Sequence, residues 1–114
     1  MLSIAQSGFT VNFPYLLDVQ ATHAAWMIAW AMRNGVDRLE ASAEAESAWV
    51  GSVVERSSPS LARAKACTPG YYNREGQANA KTRKGSFFFG GPTEYADILA
   101  ASRANGSPEG FEFS

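Results

Sequence analysis

Ala24-Ala25-Trp26-Met27-Ile28-Ala29-Trp30-Ala31-Met32 is the longest apolar run in this chain of 114 residues, and its reading decides the fold. A helix that crosses a membrane needs about 20 such residues, and Asp18, Gln20 and His23 stand just upstream. The run is therefore the second half of a soluble helix. Traced back, the helical pattern starts at Thr10 or Pro14; traced forward, it ends at Asn34, with Gly35 placed as a C-terminal cap. At about 1.5 Å per residue such a helix reaches roughly 30 Å, the width of a small domain. Leu16, Val19, His23, Trp26 and Trp30 fall on one face, and Leu17, Ala24, Met27, Ile28 and Ala31 on another. Beyond residue 24 the helix is apolar nearly all round, which predicts a long helix buried on several sides.

Outward from this helix the pieces are shorter. Residues 2–5 read as the end of an apolar strand running into a polar turn, Gln6-Ser7-Gly8. Residues 36–40 are a connector or short strand. Ser42 is positioned to cap a second helix over residues 43–56, with Glu44 and Glu46 in the first turn, where the helix dipole favours carboxylates. Ala45, Ala48, Trp49 and Val53 supply its inner stripe. Residues 57–86, with Pro59, Pro69, Gly70, Gly76 and Gly85, show no periodicity and read as a long irregular loop. Phe87-Phe88-Phe89 predicts a short buried strand. Gly90-Gly91-Pro92 opens a third helix over residues 93–105, stopped by Gly106.

Composition narrows the function. The chain is 46% hydrophobic and 18% charged, the balance of a packed domain rather than a disordered one. Its net charge of −1 argues against a dedicated nucleic-acid binder. One cysteine (Cys67) and one histidine (His23) exclude a disulfide framework and a Cys/His zinc cluster, so no metal is expected. The unpaired thiol and the absence of a signal sequence predict a cytoplasmic protein. Charge is concentrated: residues 63–86 carry a net +5 from Arg63, Lys65, Arg74, Lys81, Arg83 and Lys84 against Glu75. Such an island is either a solvated loop or an attractor for an anionic, phosphate-bearing ligand, and Tyr71, Tyr72 and Asn73 beside it could stack on a planar ring and hydrogen-bond to it. His23 reads as an interior residue rather than a base.

Two shorter helices and a few strand stubs do not supply the neighbours that an apolar helix of this length demands. The chain is expected to lie against a larger body, or against copies of itself. The residues then become familiar. Gln6-Ser7-Gly8-Phe9-Thr10-Val11-Asn12-Phe13, Gln20 with His23, Ala45-Glu46 with Ala48-Trp49-Val50, and Cys67-Thr68-Pro69-Gly70-Tyr71-Tyr72-Asn73 occur in that order. Phe89-Gly90-Gly91, Glu94-Tyr95 and Glu109-Gly110-Phe111-Glu112-Phe113 follow. In this order and spacing the chain resembles the C-terminal portion of FAD-dependent monooxygenases of the Baeyer–Villiger type, the cyclohexanone and phenylacetone monooxygenase group, over nearly its whole length.

The resemblance implies an α/β fragment of a flavoprotein with two dinucleotide-binding domains. Residues 1–114 would form one partial domain, the C-terminal part of the FAD-binding region, with 57–86 as its cationic loop. The parent would use FAD and NADPH to oxygenate ketones or related carbonyl compounds through a C4a-peroxyflavin. Gln6, Ser7, Gly8 and Thr10 would pass the flavin ring, with Gly8 allowing a close approach and the following helix aiming its N-terminus at the ring's pyrimidine end. Phe9, Tyr71, Tyr72 and Asn73 would form the nicotinamide and substrate side, the tyrosines on a closing lid. No two glycines lie two residues apart, so no G-x-G-x-x-G phosphate loop is present. The arginine that accompanies the peroxyflavin in this family and the motif between its two nucleotide domains are missing as well. The chain alone is therefore expected to lack a catalytic centre and to depend on missing N-terminal nucleotide-binding domains. The alternative is a small non-catalytic subunit that completes a partner flavoprotein.

Overall fold

A computed structural model describes residues 6–8, 10–57, 66, 68–70, 75–77, 79 and 83–114. Along the chain these form helix α1 (Phe13–Asn34), strand β1 (Leu39–Ala41), helix α2 (Ala43–Arg56), helix α3 (Pro92–Ala104) and strand β2 (Phe111–Phe113). The expected strand at residues 2–5, Cys67 and most of the cationic loop lie outside the described residues.

Local chemistry explains the helix limits. At the start of α1 the Asn12 side chain accepts from the Tyr15 N–H at 3.2 Å, and Pro14 sits where a backbone donor is dispensable. At its end Gly35 turns left-handed, φ 65°, and returns its N–H to the Ala31 carbonyl. Ser42 Oγ caps α2 by accepting from the Ala45 N–H at 3.2 Å. Helix α3 begins at Pro92 after Gly91 and places Glu94 in its first turn and Arg103 in its last, both in accord with the dipole.

The two strands pair antiparallel, Leu39 with Phe113, Glu40 with Glu112 and Ala41 with Phe111. Hydrogen bonds from Arg38 N–H to Ser114 O (2.7 Å) and Ser42 N–H to Gly110 O (2.8 Å) fasten both ends. Opposed glutamates are unfavourable neighbours, and the exposed Arg38 side chain ion-pairs with Glu40 beside them. The pairing brings Phe113 against Trp30 of α1, ring centres 5.0 Å apart.

A small core joins the helices. Leu16, Val53, Phe88 and Tyr95 are buried, and Val19, Trp49 and Leu99 pack around them. Trp49 stacks on Phe88 at 5.1 Å, while the Arg56 guanidinium lies over the Phe88 ring at 4.9 Å and bonds to Glu94 Oε1 at 2.6 Å. The first face predicted for α1 is the inner one: Leu16 is in the core, Val19 packs on it, and Trp30 meets Phe113.

Three expectations need correction. The long helix is not buried by this chain. Leu16 is its one buried residue, while Ile28 and Met32 are 61% and 78% exposed, because the other described elements cover one face only. Phe87-Phe88-Phe89 forms no strand of its own. Phe88 makes a single parallel bridge to Gly8 and is buried, whereas Phe89 is exposed. Ala48, assigned to the inner stripe of α2, faces outward. Among the described residues the predicted α/β fold is thus three helices with one two-stranded sheet.

Candidate functional site

The turn Gln6-Ser7-Gly8 is held by residues 84–95, about 80 positions further along the chain. Gln6 adopts a positive φ of 58°, a conformation non-glycine residues enter at a cost. Its N–H donates to Ser86 O at 2.8 Å and its Nε2 to Lys84 O at 2.6 Å, and these bonds hold it there. The Phe88 N–H donates to Ser7 O at 2.9 Å, and Ser7 is fully buried. Gly8 packs against the start of α3. A Cβ at this position would come within 2.9 Å of Tyr95 Cβ, 3.1 Å of Pro92 Cα and 3.2 Å of Gly91 O. Within this chain, the close approach that requires glycine is made to its own third helix.

From the turn the backbone enters α1 through a relay. Thr10 Oγ1 accepts from the Asn12 N–H at 3.1 Å, and Asn12 Oδ1 accepts from Tyr15. The Leu16 N–H goes to Asn12 O at 3.3 Å and Pro14 has no N–H, so among the described residues the Phe13 N–H is the first-turn donor left over. No acidic residue stands in that turn to occupy the positive end of the dipole. Beside it Val11 is 99% exposed, with Phe13 and Tyr15 also partly open. One free donor, an uncompensated dipole and an apolar rim fit the electron-rich edge of a flat, largely apolar ligand. They do not make a phosphate cradle, which needs several converging N–H groups.

Of the residues singled out from sequence, Gln6, Ser7, Gly8 and Thr10 are thus brought together at the entry to α1. Phe9, Tyr71, Tyr72 and Asn73 lie outside the described residues. Sequence reasoning missed the supports of the turn, namely Lys84, Ser86, Phe88 and the Gly91-Pro92 step. The pairing of two glycine-containing turns ahead of helices, Gly8 before α1 and Gly91 before α3, is the signal that could have linked them.

Deeper along α1, Gln20 Nε2 donates to Tyr95 Oη at 3.4 Å. Burial raises the Tyr95 phenol above its ordinary value, partly opposed by that bond, so it stays protonated. His23 is half-buried 5.6 Å from the Trp26 ring, and its Nδ1 has no hydrogen-bond partner among the described residues. Burial chiefly, and then the Arg103 charge, lower its pKa, with a backbone hydrogen bond to Leu99 acting the other way. A neutral ring wedged between two helices is a packing element. Among the described residues no group of His, Cys, Asp and Glu could hold a metal ion, and no helix is long and apolar enough to cross a membrane.

No protein-family model matches the chain. An FAD-binding monooxygenase of Hypomyces subiculosus is 33% identical over 111 residues, covering 97% of this chain, and Baeyer–Villiger monooxygenase 4 of Dietzia sp. is 41% identical over 78 residues, covering 68%. The solved structure of a polycyclic ketone monooxygenase from the fungus Thermothelomyces thermophila superimposes on 99% of the chain with a TM-score of 0.80 and 32% identity. The chain corresponds to the C-terminal segment of a Baeyer–Villiger monooxygenase. This monooxygenase segment spans only 18% of the Hypomyces protein, 13% of the Dietzia protein and 18% of the solved fungal chain.

Proposed function

We propose that the chain is the closing part of the FAD-binding region in a monooxygenase that uses FAD and NADPH to oxygenate a ketone or related carbonyl compound. The observation that carries this reading is the match over nearly the full chain to an FAD-binding monooxygenase and to a solved polycyclic ketone monooxygenase, the latter with a TM-score of 0.80. Bound FAD would supply the redox and oxygen-activating chemistry. The part of this chain is to position and shield. The turn Gln6-Ser7-Gly8, with Thr10, runs along the ring, and the open start of α1 offers its remaining N–H and dipole to the ring's electron-rich edge. Phe9, Tyr71, Tyr72 and Asn73 form the nicotinamide and substrate side, where closing over the reacting groups excludes water. The net +5 of residues 63–86 favours the phosphates of the nicotinamide cofactor.

By itself the chain is inactive on this reading, since no phosphate-binding glycine loop is in its sequence. Two preparations test it: the chain alone, and the chain joined to the rest of the monooxygenase. The first should be colourless; the second should carry FAD and oxidise NADPH in the presence of a ketone. Stoichiometric FAD on the isolated chain overturns the dependence on a larger body. Absence of flavin from the joined protein overturns the function itself.

A further inference from the structure

The last turn of α2 is closed by a side chain from outside the helix. Its own basic residue, Arg56, is turned away, bonded to Glu94 and laid over the Phe88 ring. The Val54 carbonyl in that turn takes instead the Arg83 Nη2–H at 2.5 Å. Ser57, fully buried at the same helix end, donates its Oγ–H to Val54 O at 2.9 Å and accepts the Arg83 Nε–H at a long 3.5 Å. A planar guanidinium can reach both acceptors at once, which the single ammonium of a lysine cannot copy. Its charge lies at the negative end of the helix dipole. Arg83 also opens a turn, since the Ser86 N–H returns to the Arg83 carbonyl at 3.1 Å. The carbonyls of Lys84 and Ser86 in this turn are the two that hold Gln6, and two residues on the Phe88 N–H holds Ser7. One side chain therefore ties the end of α2 to the support of the Gln6-Ser7-Gly8 turn. It also brings Ser57 and Arg83, 26 positions apart and near the two ends of the cationic loop, side by side.

We propose that Arg83 is a positioning residue, the clasp that holds the flavin-side turn and the neck of the nicotinamide-side loop at one point of the fold. The inference rests on the functional reading above and adds to it how the two sides are kept in register. It also takes Arg83 out of the phosphate-attracting group: with its guanidinium committed to α2, it acts through geometry and not as a free charge. The two roles differ in their chemistry. A residue that attracts phosphate is replaceable by lysine, and it favours the nicotinamide cofactor that carries a 2′-phosphate over the one that does not. A clasp is not replaceable by lysine and serves both cofactors alike.

Arg83→Gln, Arg83→Lys and Lys84→Gln are compared with the wild type in the protein assembled from this chain and the rest of the monooxygenase. Two readouts are taken: amide hydrogen exchange, and steady-state oxidation of NADPH and NADH with a ketone, expressed per bound flavin so that misfolded protein does not count. Both Arg83 variants should lose about tenfold of the protection at the Gln6 and Phe88 amides, with the α1 amides unchanged. Lys84→Gln, which removes the same charge from an exposed residue, should keep that protection. In both Arg83 variants KM should rise about fivefold for NADPH and NADH alike, with kcat per flavin changing less. Wild-type exchange at Gln6 and Phe88 in Arg83→Gln overturns the clasp and leaves the functional reading intact. Protection lost throughout α1 and α2 marks a fold-wide effect and overturns it as a local device. A wild-type KM in Arg83→Lys, with a rise in Arg83→Gln confined to NADPH, makes Arg83 a phosphate contact and also overturns the clasp. An assembled wild type without flavin overturns the functional reading, while the exchange comparison still decides whether Arg83 holds Gln6.

Discussion

At Gln6, two hydrogen bonds reach 80 and 78 positions along the chain, to Ser86 and Lys84, and hold a left-handed backbone that glutamine would not choose by itself. The conformation belongs to the turn that leads into α1, so strain and candidate ligand contact coincide at one residue. His23 shows the opposite economy, a titratable ring kept neutral in the interior. Its pKa lies below the ordinary 6.5 because burial and the Arg103 charge both disfavour the imidazolium. The unfolded chain therefore binds a proton more readily than the folded one. Stability rises with pH across the interval between the folded pKa and 6.5, is kept above it, and is lost as the pH falls through the folded value. The wild-type chain is expected to melt at a lower temperature at about pH 5 than at about pH 8, and His23→Gln should flatten that difference. A variant whose acid-side loss matches the wild type would show that other groups carry it.

Helices were legible where a residue at each end has a reason to be there. Ser42 placed the start of α2 at the right residue, and Gly35 with Asn34 closed α1, because capping is written in two or three adjacent side chains. The strands were less so: residues 36–40 read only as a connector or short strand and β2 was not anticipated, since each is three residues long and what makes them strands is a partner 70 to 74 positions away. Their shared apolar–glutamate–apolar alternation, Leu39-Glu40-Ala41 and Phe111-Glu112-Phe113, is too short to separate from chance. Phe87-Phe88-Phe89 failed in the other direction, three apolar residues of which only the middle one is buried. The candidate site divides in the same way. Its residues were named through a family resemblance, but what fixes Gln6 and Gly8 lies around residues 84–95, a pairing that local patterns do not encode. The caps carry a measurable share of stability. Ser42→Ala removes the oxygen that accepts from Ala45 and should cost about 1 kcal/mol in urea unfolding, since the orphaned donor at that helix end finds only water. Ser42→Asp should recover most of it, and an unchanged midpoint for the alanine variant would remove the cap from the account.

Over the whole molecule, the contrast between a small interior and a long open helix sets what each substitution can do. The radius of gyration is 15.8 Å, against about 13 Å for a compact chain of similar length, and the longest extent is 49 Å. Within that drawn-out shape Phe88 ties several of the pieces together. It bridges to Gly8, stacks on Trp49 of α2, lies under Arg56 and meets Tyr95 of α3. Phe88→Ala should therefore cost about 3–5 kcal/mol, a large part of the 5–15 kcal/mol typical of a whole domain and more of what so small a core can hold. Its expected signature in the isolated chain is the loss of a cooperative thermal transition by far-ultraviolet circular dichroism. Met32→Ala is the matched control, because removing a mostly exposed side chain should move the transition by no more than about 0.5 kcal/mol. If the two variants melt alike, stability in this chain does not run through the Phe88 cluster, and α1 is held by its inner face on α3 and Phe113 instead.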